Sequence, residues 1–110
     1  MMGGLNHSIL VGRLVADPET RYTQEEVPVT HFCLAINRNG SENADFINCV
    51  AWAGLAKICG EYLKKGRLVA VEGRLQISAY KTKKGQDKTS AQVVVDNLQM
   101  LDAKVPAKAA

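Results

Sequence analysis

Side chains alternate at period two through most of this chain, and this spacing restricts the possible folds more than any other feature of the sequence. The alternation is clearest over residues 45–52, because successive side chains of an extended strand must point to opposite sides. One side of this segment is small and apolar and carries Ile47, Cys49 and Ala51. The other side carries Phe46, Asn48, Val50 and Trp52. A chain dominated by such segments is predicted to be mainly β.

Five strands are predicted, at residues 5–15, 29–37, 45–52, 67–80 and 91–101. The fourth is long, and Gly73 is the predicted site of a bulge or bend within it. The polar stretch that follows contains Gly85 and is predicted to form the tip of a long hairpin joining the fourth and fifth strands.

The first predicted strand is apolar on both faces. Ile9 and Val11 share one side, and Leu10 and Leu14 share the other. A single sheet layer in a small domain has one core to face, so the second apolar side needs another partner surface. This pattern predicts a contact between subunits, in a homotetramer or, failing that, a dimer.

A single helix is predicted over residues 54–65, where apolar residues repeat at helical spacing. The predicted buried stripe consists of Leu55, Ile58, Cys59, Tyr62 and Leu63. Lys64 and Lys65 would suit the negative end of the helix, and Gly66 would form a left-handed cap there.

The length of 110 residues and an apolar content of 46% fit one domain, predicted at residues 1–102, followed by a disordered basic tail at 103–110. Three strands, a helix and two more strands is the chain order of a five-stranded OB barrel with its helix between strands 3 and 4. A barrel of the SH3 type with an added helix has the same composition of elements, and chain order leaves both folds open.

Several classes of function find no support in the sequence. Cys33, Cys49 and Cys59 lack metal-binding spacing and are predicted to be buried apolar residues, so neither a metal nor a cofactor is expected. We find no phosphate-loop, nucleophile-elbow or zinc-helix motif, so no enzymatic activity is predicted. Neither a membrane span nor a secretory signal is recognisable, which predicts a cytoplasmic protein.

The few aromatic residues and the cations together favour nucleic-acid binding. At 5% aromatic content, Phe46 and Trp52 fall with Asn48 on the side opposite the small apolar residues, and Tyr80 shares the polar side of its strand with Arg74. Exposed rings stack on unpaired bases, and cations neutralise phosphates. The predicted site residues are Phe46, Trp52, Tyr80, Asn48, Arg21, Lys65, Arg74 and Lys81. The alternative is that the helix or a neighbouring subunit covers the rings.

Separate motifs in the right order resemble bacterial single-stranded DNA-binding proteins, over residues 6 to about 101. They are NHSILVGRL at 6–14, DPETRYT at 17–23, DFINCVAW at 45–52, EYLKKG at 61–66 and VEGRLQ at 71–76. The resemblance implies an OB fold, usually a homotetramer, which protects single-stranded DNA in replication, recombination and repair. It also implies that bases stack on aromatic residues at Phe46, Trp52 and Tyr80.

The sequence departs from the family pattern in three places. The loop at 37–43 has no aromatic residue where the family has a fourth stacking position, and Gln76 and Ser78 replace basic residues. The residues at 103–110 are not the acidic peptide with which the family recruits replication and repair enzymes, so this chain does not support that recruitment. A shortened chain and a short paralogue, such as a dimeric primosomal accessory protein acting in replication restart, both stay open.

Two further hypotheses remain. The same aromatic platform would serve an RNA-binding OB domain. The rings would also suit a protein-interaction module, because aromatic residues are often the strongest contacts of interfaces.

Overall fold

Six strands and one helix make up the computed structural model, which describes residues 3–40 and 42–102. The elements are β1 Ser8–Leu14, β2 Glu19–Tyr22, β3 Pro28–Asn37, β4 Ala44–Trp52, α1 Ala53–Tyr62, β5 Leu68–Lys81 and β6 Asp87–Met100. The five predicted strands are β1, β3, β4, β5 and β6. The tail predicted at 103–110 lies outside the described residues.

β2 is the strand that the sequence analysis missed. Its four residues, Glu19–Tyr22, are all exposed, so they carry no apolar alternation to signal a strand. They are held by antiparallel pairing with β3, in which Arg21 lies opposite Val29. Pairing with β3 stabilises this segment as a strand, although its local sequence does not indicate one.

Five of the strands form a closed ring in the order β1, β5, β6, β4, β3 and back to β1. The last contact is short and pairs Arg13 with Ala35 and Leu14 with Leu34. β4 and β6 run parallel, and the other pairs of the ring are antiparallel. The prediction of a mainly β fold with one helix between the third and fourth predicted strands is confirmed.

The core fills this ring. Leu34, Val69 and Ala51 are fully buried, and Cys49 and Val71 are nearly so. These residues lie on the sides that the alternation predicted. Each Val or Leu buried in this way contributes about 1.5–3 kcal/mol relative to an exposed side chain.

α1 is shorter and rotated relative to the prediction. It ends at Tyr62, and its buried residues are Ala56 and Cys59, followed by Leu63 just beyond the helix. Tyr62 is 51% exposed, so its assignment to the core was wrong. Small residues on the buried side allow the helix to approach the strands closely, and this turns Tyr62 and Ile58 toward solvent.

The predicted helix cap was also wrong. Leu63 caps the helix in an extended conformation and donates its N–H to the carbonyl of Cys59 at 3.1 Å. Gly66 is left-handed, with φ 89°, but it lies in the following turn. There its N–H donates to the carbonyl of Leu14 at 2.8 Å and holds the turn against β1.

β5 and β6 form the long hairpin that was predicted. The register shifts between Glu72 and Gly73, which confirms the predicted bulge. A Cβ at Gly73 would collide with the carbonyl of Val94, so glycine is required for the close approach of the two strands. Beyond this point Leu75 and Ile77 keep the face of Val69 and Val71, but they are exposed because the hairpin projects past the ring.

Candidate nucleic-acid interface

The strand registers place six of the eight predicted site residues on one surface. Residues directly opposite one another in neighbouring strands point to the same side of a sheet. Trp52 lies opposite Val29, which lies opposite Arg21. We call this side the outer face, and its members among the predicted residues are Arg21, Phe46, Asn48, Trp52, Arg74 and Tyr80.

The second half of the outer face is built across β4, β6 and β5. Asn48 lies opposite Gln92, and Gln92 lies opposite Gln76. Arg74 and Tyr80 have the same parity as Gln76 along β5. The parallel contact between β4 and β6 therefore joins Tyr80 to the surface of Phe46 and Trp52.

All three rings on this face are accessible. Phe46 is 66% exposed, and Trp52 and Tyr80 are each 50% exposed. The alternative that α1 covers the rings is therefore wrong for this chain. Covering by a second subunit is not tested by a single chain.

Trp52 is held in place by the junction of β4 and α1. It is the last residue of the strand and the N-cap residue of the helix, with an extended backbone. Ala53 follows with φ 56°, a left-handed conformation that costs a non-glycine residue about 1–2 kcal/mol. This sharp turn directs the chain into the helix and leaves the indole on the outer face.

An apolar floor lies between the rings. Val29, Val50 and Val94 form a second buried cluster, separate from the main core. Val50 has the parity of Phe46 and Trp52, as predicted, but its neighbours on β3 and β6 bury it. The outer face thus has a small packed apolar cluster of its own among its exposed rings.

The two arginines of the outer face are held weakly by carboxylates. Arg21 lies 3.5 Å from Glu19, and Arg74 lies 3.4 Å from Asp96. Both pairs are more than half exposed, and such pairs contribute about 0–1 kcal/mol. A phosphate can therefore replace either carboxylate at little cost.

Two predicted cations lie elsewhere. Lys65 is in the turn between α1 and β5, where its N–H donates to Asp17 Oδ1 at 2.9 Å. Lys81 has the opposite parity to Tyr80 and faces the reverse side of the hairpin, 4.0 Å from Asp87. The role of Lys65 and Lys81 in binding stays a prediction.

The sequence analysis missed three polar residues of the outer face. Lys88 lies opposite Tyr80, Gln92 lies opposite Asn48, and His31 lies opposite Val50. The parity of the fifth predicted strand relative to the others could not be assigned from the sequence, because it depends on its register with β4.

The thiols lie inside the protein or at its edge. Burial raises the pKa of Cys49 to about 12 and that of Cys59 to about 11, and it also raises the pKa of the less buried Cys33. Over residues 3–40 and 42–102, no three His, Cys, Asp or Glu side chains are grouped so that they would hold a metal ion. Nor does that part of the chain contain a helix with the length and apolarity to cross a membrane.

Comparison with known proteins identifies relatives over nearly the whole chain. A family model described as "Single-strand binding protein family" matches residues 5–101. A protein of Streptococcus pyogenes serotype M3 named "Single-stranded DNA-binding protein" is 44% identical over 105 residues, which cover 91% of this chain and 64% of the relative. The chain thus spans less than two thirds of that relative's length.

Two other relatives give the same result. A "Single-stranded DNA-binding protein" of Caldanaerobacter subterraneus subsp. tengcongensis is 47% identical, and the alignment covers 91% of this chain and 70% of the relative. The "Single-stranded DNA-binding protein 1" of Lactococcus lactis subsp. lactis is 42% identical, and the alignment covers 90% of this chain and 69% of the relative.

Proposed function

The chain belongs to the single-strand binding protein family, whose fold is the OB fold, and from this membership we propose that it binds single-stranded DNA through the outer face. The observation that carries the proposal is the exposure of Phe46, Trp52 and Tyr80 on one side of the sheet. Its relatives are named for the same binding. Chain order left an OB barrel and an SH3-type barrel open, and the family confirms the OB fold that the resemblance implied.

The outer face would bind DNA by two separable interactions. Each base stacked on a ring contributes about 1–3 kcal/mol and does so without regard to sequence, because every base has a π-face. Arg21 and Arg74 would exchange their exposed carboxylates for phosphates and release counterions. Binding is therefore expected to be sequence-independent and to weaken with salt.

Fluorescence of Trp52 tests the proposal, because it is the only tryptophan of the sequence. Titration with a dT oligonucleotide should quench this emission in a saturable way as a base stacks on the indole. A matched RNA oligonucleotide measures the preference between DNA and RNA. Unchanged emission, together with no retention of labelled dT oligonucleotide at low salt, would contradict the proposal and favour a protein-interaction module.

We infer further that the protein acts without catalysis, by protecting single-stranded DNA during replication, recombination and repair in the cytoplasm near the nucleoid. What supports this is a binding surface that spans five strands with stacking and cationic groups. The expected outcome is that bound oligonucleotide is recovered chemically unchanged and resists a single-strand nuclease. Cleavage of the DNA by the purified protein alone would overturn it.

We also infer a homo-oligomer built on β1. Ile9 is 69% exposed and Val11 is 49% exposed, on the side of β1 that faces away from the core. Residues 8–12 pair with β5 along one edge, whereas the contact with β3 begins at Arg13. A second copy would cover both apolar residues and give a dimer, and two dimers a tetramer.

Sedimentation of the wild type and of an Ile9→Asp, Val11→Asp variant tests the assembly. We expect a dimer or tetramer for the wild type and a monomer for the variant, because burial of two carboxylates would be costly. Phe46→Asp is the matched control and should leave the assembly intact. A wild-type monomer at micromolar concentration would contradict the inference.

A further inference from the structure

A pair of glutamine side chains lies at the centre of the outer face. Gln92 Nε2 donates to Gln76 Oε1 at 3.1 Å across β6 and β5. Asn48 lies opposite Gln92 on the neighbouring strand, so three amides form one row from β4 to β5. We call Gln76 and Gln92 the amide pair.

The direction of this hydrogen bond determines what the amide pair offers to a ligand. Because Gln92 donates its amino group and Gln76 accepts with its oxygen, Gln92 Oε1 and the amino group of Gln76 keep their capacity to accept and to donate. Within the described part of the chain, neither amide makes another side-chain hydrogen bond. Gln92 also keeps its second N–H and the oxygen of Gln76 its second lone pair, so the pair presents both donors and acceptors to a ligand.

A donor beside an acceptor is the pattern that the Watson–Crick edges of all four bases share. Cytosine and adenine offer a ring nitrogen as acceptor next to an amino group, and thymine and guanine offer a ring N–H next to a carbonyl. An amide pair of this kind can hydrogen-bond to any of them, since unstacked bases expose these edges. It would add affinity without adding sequence preference.

The groove beside the amide pair favours a neutral ligand over a phosphate. Gln92 and Asn48 line it together with Asp17, Glu19 and His31, around a space of about 330 Å³, and Gln76 borders it through its hydrogen bond to Gln92. Carboxylates repel a phosphate group, whereas the edge of a base carries no charge. Arg74 does not line the groove, and Arg21 borders it through its ion pair with Glu19 at 3.5 Å.

We propose that the amide pair of Gln76 and Gln92 hydrogen-bonds to the Watson–Crick edges of bases that enter the groove from the strand bound on the outer face. This rests on the proposed single-stranded DNA binding and extends it from stacking and phosphate contacts to base edges. The bases are held by a polar contact that does not distinguish among them.

The test compares wild type with Gln76→Met and Gln92→Met, which keep side-chain length and lose the amide. Each is titrated with a dT oligonucleotide and with one in which thymines are replaced by difluorotoluene, an isostere that stacks but does not pair. We expect a loss of about 3- to 10-fold for dT, as for one neutral hydrogen bond, and none for the isostere. The salt dependence should not change.

Gln24→Met is the matched control, because this exposed glutamine lies in the turn between β2 and β3, away from the amide pair. It should bind both oligonucleotides as wild type does. Gln76→Ala and Gln92→Ala serve as second variants, and circular dichroism verifies that all are folded. A purely structural role in the hairpin would lower stability and leave the difference between the two oligonucleotides unchanged.

Two outcomes would overturn the proposal. Equal losses for dT and the isostere would mean that the amides contact the backbone, and unchanged dT binding would mean that they contact nothing. Failure of the wild type itself to bind dT would instead refute the proposed function, so the two failures are distinct.

Discussion

Individual side chains on the outer face combine exposure with fixed position. Trp52 is held by the junction of β4 and α1, while Phe46 projects from the first half of β4. Neither ring belongs to a buried cluster. Their removal is therefore expected to change binding and not folding.

Trp52→Ala and Phe46→Ala should each weaken binding to dT oligonucleotides by about 1–3 kcal/mol, which is about 5- to 150-fold in Kd. Tyr62→Ala is the matched control, because Tyr62 is as exposed as Trp52 but lies on α1. Fluorescence anisotropy measures Kd, and thermal unfolding verifies the fold. Should Trp52→Ala unfold the protein or bind as the wild type does, the indole is part of a core or interface and the assignment of the outer face is wrong.

The buried thiols should make stability depend on alkaline pH. Cys49 and Cys59 have pKa values raised to about 12 and about 11 from the ordinary 9.0, so the unfolded state loses these protons first as pH rises. Their stabilising contribution is complete below pH 9.0 and is lost as pH rises toward the folded values. The free energy of unfolding should therefore fall across this range.

Chemical denaturation of wild type and of Cys49→Val measures this fall. The variant should show a shallower decrease above pH 9.0, whatever its stability at neutral pH. Both buried thiols should also react slowly with a thiol reagent near neutral pH. Parallel pH profiles for the two proteins, or rapid labelling of all three cysteines without denaturant, would argue against their burial.

Among the elements, the hairpin of β5 and β6 carries the largest share of the candidate site, since it contributes Arg74, Gln76, Tyr80 and Gln92. Its geometry depends on the bulge at Gly73. That one position sets how the projecting half of the hairpin is aimed relative to the ring.

Gly73→Ala should destabilise the protein by about 1–3 kcal/mol, in the range of overpacking, because the new methyl group would collide with the backbone of Val94. Gly54→Ala is the control, since a Cβ there would meet no atom within 4 Å. Urea unfolding compares the two variants. Equal stability of Gly73→Ala and wild type would show that the strands separate easily at the bulge.

At the scale of the whole molecule, the cations extend beyond the outer face. The sequence carries a formal charge of +3, and Lys65 and Lys81 lie in a turn and on the reverse side of the hairpin. To contact these two lysines, a bound DNA strand would have to continue past the outer face. The length of the oligonucleotide should therefore decide which cations contribute.

With dT oligonucleotides of about 4 and about 16 nucleotides, the span of OB-fold site sizes, the salt dependence should separate the cations. Arg74→Ala should reduce the slope of log Kd against log salt by about 0.7 for both lengths, the value for one phosphate contact on a single strand. Lys65→Ala and Lys81→Ala should do so for the longer one only. If the substitution of a lysine changes the slope at neither length, that lysine is not part of the predicted site.

The sequence by itself determined the local features of this protein. Period-two alternation separated Ile47, Cys49 and Ala51 from Phe46 and Trp52, because the two faces of a strand follow from backbone geometry alone. The small apolar residues indicated which of the two faces is the core. The same spacing placed Lys81 opposite in parity to Tyr80, a signal that the sequence analysis did not use. Gly73 marked the bulge because a residue without a Cβ is needed where β5 closely approaches the backbone of Val94.

Only the tertiary structure decided the features that depend on contacts between distant segments. The parallel pairing of β4 with β6 brought Gln92 beside Asn48, and packing against the strands chose the side of α1 that is buried and left Tyr62 in solvent. β2 formed because β3 offered it a partner. The register of the strands and the packing of the helix on them depend on the free energy of the whole fold. No single segment of the sequence contains that information.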